Sequence, residues 1–225
     1  MSDFLKNTSS IIYSMDSIDQ IEPANIAEIT LDNKDKNTWV NTYGINYLED
    51  FNMIISKNEL DDFLRLLIKE NKHRNKTIEL DSTMFLAINT IHLKRKVITT
   101  EQMMFIVGKN FIWSIQEKPG DYFDDIRFRL RENKGLVRKK SSDYLLFLIL
   151  DAIIDNYTGA FEKMHREMEG IRDISSLNPD QENVQNIEKL KQQLFQLKKA
   201  ITSLRDAIFK LEESELDGIE ARYYL

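Results

Sequence analysis

The sequence of 225 residues predicts an α+β protein: strands with one helical insert up to about residue 115, and helices beyond it. Three observations carry this. Ile78 to Leu93 is rich in Ile, Leu, Phe and Thr, and a Gly108-Lys109-Asn110 turn joins Met103 to Val107 with Phe111 to Ile115. Residues 141–174 and 184–211 place apolar side chains three and four apart, the period of a helix with one buried face. An apolar fraction of 42% with 30% charged residues is that of a chain able to bury a core.

Ile11 to Met15 and Ile26 to Leu31 are expected strands, separated by turn chemistry at Glu22-Pro23. Thr38-Trp39-Val40-Asn41-Thr42 alternates as a strand and should stop at Gly44. Leu48 to Ile55 and Leu60 to Lys69 have helical spacing, and Ile78 to Leu93 reads as one long strand. Met103 to Val107 and Phe111 to Ile115 form a hairpin, and Glu117-Lys118-Pro119-Gly120 ends the β region. Phe123 to Asn133 is a charged amphipathic helix closed by Gly135. Ser141 or Ser142 is placed to cap the next helix, which runs to about Ile174.

Asn178-Pro179-Asp180 then turns the chain. The last long helix carries Val184, Ile187, Leu190, Leu194, Leu197, Ile201, Leu204, Ile208 and Leu211, a repeat like a coiled-coil seam. The two long helices are most simply an antiparallel hairpin, with the stripe as intramolecular core and self-association as its lesser use. A third helix starts near Leu216, and the chain reads as cut within it at Arg222-Tyr223-Tyr224-Leu225. Two portions result, 1–135 and 136–225.

Composition excludes much. There is no cysteine, so thiol catalysis, disulfides and thiolate metal sites are ruled out. The three histidines, His73, His92 and His165, have no ligand spacing, so any metal would be held by oxygen and would be a hard cation such as magnesium. Glycine-rich phosphate loops and nucleophile elbows are absent, and the expectation is not an enzyme. A net charge of −6 argues against nucleic acid as the partner. The N-terminus lacks a signal-peptide pattern, and the apolar run Tyr144 to Leu150 is shorter than the ~20 residues a membrane span needs. As given, the chain reads as soluble and cytosolic.

The most informative stretch is Gly135 to Tyr157, where a basic turn, Arg138-Lys139-Lys140, enters an apolar helix that carries Asp151 and Asp155. The turn is expected to be solvated. Asp151 lies inside the apolar run, where a carboxylate needs a partner. Two readings stand: an ion pair with an Arg or Lys of a neighbouring helix, or a metal ligand. Asp155 and Glu162 read as solvated, and His165 as a packing or surface residue.

Several motifs in order resemble the cytoplasmic domain of CorA-type magnesium/cobalt transporters, over roughly Trp39 to Leu225. They are Trp39-Val40-Asn41 with Gly44-Ile45, Glu101-Gln102, Gly108-Lys109-Asn110-Phe111, and Gln116-Glu117-Lys118-Pro119-Gly120-Asp121. Phe123-Asp124 follows with Arg127, Arg129 and Arg131, then Gly135 to Lys140, Asp143-Tyr144-Leu145-Leu146 and Asp151 to Tyr157. The resemblance implies a three-layer α/β/α sandwich with a mixed sheet, followed by a long antiparallel helical hairpin that leads toward a stalk helix and membrane helices. It further implies a homopentamer at the cytoplasmic face of the inner membrane. Magnesium would be a regulatory ion bound between neighbouring domains, with no cofactor required.

Under this resemblance Asp151 matches a family carboxylate that helps hold the regulatory ion. A family acidic pair falls, by ungapped count from Trp39, on Leu66 and Leu67, which cannot coordinate magnesium. The nearest acidic pair is Asp61-Asp62, more than a turn earlier. Two alternatives stay open: a zinc transporter domain like that of ZntB, and a stand-alone soluble interaction module of the same fold.

Overall fold

Alternate residues of the strands serve two different cores, because successive side chains of a strand point to opposite faces of its sheet. Trp39, Leu86 and Ile112 enter one core, while Val40, Phe85 and Trp113 enter the other. The structure, a computed structural model, describes residues 8–22, 24–33, 35–44, 48–70, 72–94, 97–118, 120–177, 181–214 and 216.

The strands are β1 (Ser9–Tyr13), β2 (Ile18–Ile21), β3 (Asn37–Tyr43), β4 (Lys76–Glu79), β5 (Met84–Lys94), β6 (Val97–Gly108) and β7 (Phe111–Gln116). They form a seven-stranded sheet in the order β2-β1-β3-β7-β6-β5-β4. Only β3 and β7 pair in parallel, so the sheet is mixed. The two central tryptophans cross-link this parallel pair: the Trp39 indole donates to Ser114 Oγ and the Trp113 indole to Thr42 Oγ1, each at 3.0 Å.

Helices α1 (Leu48–Lys57) and α2 (Phe63–Lys69) cover one face, with Phe51 against Trp113. Helices α3 (Asp124–Arg131), α4 (Ser142–Leu177) and α5 (Gln181–Glu212) cover the other. The expected three-layer α/β/α sandwich with a mixed sheet is therefore present. Residues 154–161 of α4 share a groove with residues 201–212 of α5, as in an antiparallel hairpin. By length and composition Ser142–Gly170 would pass for a membrane span, yet its Leu146, Ile149, Ile153 and Tyr157 are buried in the core beneath the sheet.

Two strand expectations need correction, and one strand was not expected. Ile26 to Leu31 is not a strand: Ile26–Glu28 is a 3-10 turn capped by the Asn25 side chain, and Ile29 and Leu31 then anchor it to α1. A local side-chain cap competes with strand pairing there. The edge strand beyond β1 is Ile18–Ile21, whose largely exposed side chains gave no apolar signal. Ile78 to Leu93 is two strands, because the chain turns at Asp81-Ser82 and Leu80 N–H donates to Thr83 C=O.

Arg138 is also not solvated. It is buried and its Nε donates to the Ser14 carbonyl at 2.8 Å. The Asn178-Pro179-Asp180 turn, the third helix beyond Leu216, and Pro23, Ile45 and Pro119 lie outside the described residues.

The heptad stripe of α5 divides. Leu190, Leu197, Leu204 and Leu211, each seven residues apart, are buried, whereas Ile187 and Ile201 are exposed. One column of the seam feeds the core, and the column beside it lines a groove with Ile154 and Phe161 of α4.

Candidate ion-binding cleft

Helix α3 is held by a buried ion pair at its entry. Asp121 Oδ1 accepts from Arg127 Nη1 at 2.7 Å and from the Phe123 N–H at 3.0 Å. Its Oδ2 accepts from Arg127 Nη2, the Gln116 amide and the Tyr43 hydroxyl. Arg127 also lies over the Trp39 ring, 5.2 Å from its centroid. Burial would raise the Asp121 carboxyl, but the hydrogen bonds and charge of Arg127, with Gln116 and Phe123, outweigh it and hold the group below its ordinary value. Acidic residues in the first turn of α3 and Arg129 and Arg131 in its last suit the helix dipole.

With α3 fixed, its outer side forms a cleft of about 310 Å³ with α4. Tyr122, Asp125, Ile126 and Arg129 form one wall, and Leu148, Asp151, Asp155 and Asn156 the other. Arg129 pairs with Asp125 at 2.7 Å and is thereby engaged on its own helix. Behind the cleft, Tyr122 OH meets His92 Nδ1 at 2.7 Å, and His92 Nε2 lies 3.4 Å from the buried Glu101 carboxylate. Burial, then the Glu101 charge, raises the Tyr122 hydroxyl above its ordinary value. Asn156 anchors α4 by accepting from the Ile91 N–H of β5. One residue on, the Tyr157 hydroxyl donates to the Asn89 carbonyl, and burial pushes it up to about 12.

Asp151 is exposed, contrary to its reading as a carboxylate inside an apolar run. The helix turns about 100° per residue. With Ile149, Leu150 and Ile153 on the core side, Asp151 falls on the outer side with the exposed Ile154 and Asp155. Among the described residues no ion pair or hydrogen bond engages its carboxylate. Among the described residues the buried carboxylate of α4 is instead Asp143, in the first turn, which accepts from Ser141 Oγ at 2.5 Å and from the Tyr144 N–H at 2.8 Å.

Leu66 and Leu67 lie in α2, on the opposite face of the sheet from α4. Leu66 is 61% exposed, whereas Leu67 is buried and its carbonyl meets His73 Nε2 at 2.7 Å. Within one molecule, Asp151 and the 66–67 position are not brought together. Among the described residues no group of three or more His, Asp or Glu side chains converges to hold a metal. Asp151 and Asp155, one turn apart on one helix, supply two carboxylates, whereas magnesium takes octahedral oxygen coordination. The residues present do not complete a magnesium site. Asp155 and Glu162 are exposed as expected, and His165 is a surface residue stacked on Phe161.

The sequence reading did not single out the Asp121–Arg127 pair or the Tyr122–His92–Glu101 relay. Asp121 follows a Pro-Gly turn six residues before an arginine, a spacing that signals a helix entry. The relay joins the β5–β6 hairpin to the segment before α3, a contact with no local signal.

Comparison with known proteins shows what this architecture belongs to. The curated Cobalt/magnesium transport protein CorA of Thermotoga maritima is 31% identical over 182 residues, which is 77% of this chain and 50% of that protein. The chain thus spans about half the length of that curated relative. The complete structure of the CorA magnesium transporter from Methanocaldococcus jannaschii superposes with a TM-score of 0.75 at 15% identity, over 97% of this chain and 66% of that one. The ZntB cytoplasmic domain from Vibrio parahaemolyticus gives 0.73 at 15% identity, over 97% and 85%. These two likenesses establish the fold. The model of the CorA-like Mg2+ transporter protein family matches residues 30–223, nearly the whole chain, and the chain belongs to that family.

Proposed function

We propose that this chain is the cytoplasmic, ion-sensing part of a non-enzymatic divalent-cation transporter that carries magnesium or cobalt. Its place would be the cytoplasmic face of the inner membrane, within a homopentamer. The observation that carries the reading is the family match together with an apolar groove of about 820 Å³ between α4 and α5. Ile154, Phe161, Ile201 and Phe209 line it and are 41–55% exposed. Apolar surface of this kind marks a contact site. Further helices of the same protein, joining this part to the membrane, are its proposed occupant.

Asp151 is the proposed contributor to ion sensing. It stands on an open helix face with a carboxylate free to meet a cation, and the remaining oxygen ligands would come from a neighbouring subunit or from beyond the described residues. Leu66 and Leu67 supply none, so a site built here differs from the family pattern. The zinc reading keeps its place because the ZntB domain superposes nearly as well as the CorA structure. Flux through the full-length protein in liposomes tests both readings. Entry of magnesium and cobalt, faster than zinc, supports the proposal; zinc alone favours the second reading, and no flux of any of the three contradicts both.

A further inference from the structure

A groove of about 520 Å³ runs between the start of β4 and helix α5, on a chain whose net charge is −6. Arg74, Lys76, Lys198, Lys199 and Lys210 all line it. The carboxylate in its lining, Asp206, is held by Arg205 at 2.8 Å. Lys76 reaches Glu70 only at 3.9 Å, and among the described residues Arg74, Lys198, Lys199 and Lys210 have no ion-pair partner. Like charges brought together without compensation repel, so the groove is poised for an anion.

The frame is fixed. Asn75 Nδ2 donates to the Ala200 carbonyl at 3.2 Å, Ser203 Oγ to the Asn75 carbonyl at 3.3 Å, and Thr77 Oγ1 to the Ala207 carbonyl at 2.6 Å. These bonds set the Arg74–Lys76 segment alongside the lysines of α5. At one end stands Phe195, 70% exposed and part of the same lining. From Phe195 to Lys210 the helix spans about 22 Å, at 1.5 Å per residue. An exposed ring with no aromatic partner among the described residues at one end, and a run of cations with Thr202 and Ser203 beyond it, match a ligand with a planar base and several phosphates. The volume lies within the range of small-molecule sites, roughly 300–1,000 Å³.

We propose that this groove binds a nucleoside triphosphate, its base on Phe195 and its phosphates among Arg74, Lys76, Lys198 and Lys199. The inference does not rest on the transporter reading, and it places no metal at Asp151.

Calorimetric titration of the protein with magnesium-free ATP at 0.15 M ionic strength tests it, with tripolyphosphate, adenosine, polyglutamate and magnesium chloride alone as parallel titrants. Saturable 1:1 binding of ATP is expected, weakened about tenfold or more by the double change Lys198→Ala and Lys199→Ala. Phe195→Ala should weaken ATP about fivefold and leave tripolyphosphate unchanged. All three positions are on the outer face of α5, and unchanged far-UV circular dichroism confirms that the variants fold. Absence of saturable ATP binding, or ATP binding that ignores both variants, overturns the proposal. Tripolyphosphate or polyglutamate binding as tightly as ATP overturns it too, since the groove would then read charge without a base. A response to magnesium alone that Asp151→Asn removes concerns the cleft at α3, so the two sites fail or succeed separately.

Discussion

Asp121, just ahead of α3, and Asp151, across the cleft from that helix, are treated in opposite ways. Asp121 is buried, and Arg127, Gln116, Tyr43 and the Phe123 N–H fill its oxygens. Asp151 faces outward across the cleft, and no described residue engages it. A carboxylate whose lone pairs are used up holds structure together. One left open on a fixed helix keeps its capacity for a ligand, and the difference separates a scaffold residue from a candidate sensor.

The largest effect should come from the closed side. Arg127→Ala leaves the Asp121 charge buried and uncompensated and removes the cation over Trp39, so stability should fall by about 3–5 kcal/mol in denaturant unfolding. Asp121→Ala should cost a similar amount. A drop under 1 kcal/mol for either would mean that the pair is not what fixes α3.

Next in size are Leu66 and Leu67, where an ungapped count from Trp39 would place an acidic pair. Leu67→Asp places a carboxylate in the α1–α2 core and should cost about 2–5 kcal/mol, whereas Leu66→Asp, on the exposed side, should stay within about 0.5 kcal/mol. Thermal melting of the two variants separates them. Building an acidic pair there is therefore cheap at one position and destructive at the other.

Two pH effects follow in different windows, and both weaken the fold as pH falls. Asp121 has a folded pKa below that of the unfolded chain, so its stabilisation is complete above about pH 4 and is lost as pH falls through the lower folded value. An acid titration of stability should flatten in Asp121→Asn. For His73, burial lowers the imidazole, only partly opposed by its bond to the Leu67 carbonyl. The unfolded chain therefore protonates first, and stability should be full above about pH 6.5 and decline as pH drops toward the folded value. His73→Gln should remove that slope between denaturation curves at pH 7.5 and 5.5.

The smallest effect on stability belongs to the open side. Without divalent cations, Asp151→Asn should change stability by no more than about 0.5 kcal/mol, because no described residue relies on its charge.

The sequence made the layers legible where periodicity and local chemistry agree. Trp39-Val40-Asn41 alternates cleanly, the Gly108–Phe111 hairpin forms where expected, and α3 has acidic and basic ends. A Cβ at Gly108 would come within 2.3 Å of the Phe111 ring, which explains a glycine beside that turn. Periodicity misled where a residue's phase had to be known. Asp151 follows an apolar run that wraps around α4, so only its phase against the sheet shows that it points outward. Leu190, Leu197, Leu204 and Leu211 look like Ile187 and Ile201 in sequence, and the packing of α5 on β4 decides which column is buried. Arg138 reads as solvated in a basic run, yet a carbonyl from the β1–β2 connection, 124 residues away, draws it in. The basic groove was equally hidden, because Arg74 and Lys76 meet Lys198 and Lys199 only after folding.

The central claim is that the open carboxylate on α4 senses a divalent cation while the closed one at the entry to α3 does not. Hydrogen–deuterium exchange of the full-length protein, with and without magnesium, tests it most directly. The account predicts that magnesium slows exchange over residues 148–156 in the wild type and fails to do so in Asp151→Asn, with residues 121–127 unchanged in both. Equal magnesium protection in Asp151→Asn, or none in the wild type, would contradict it.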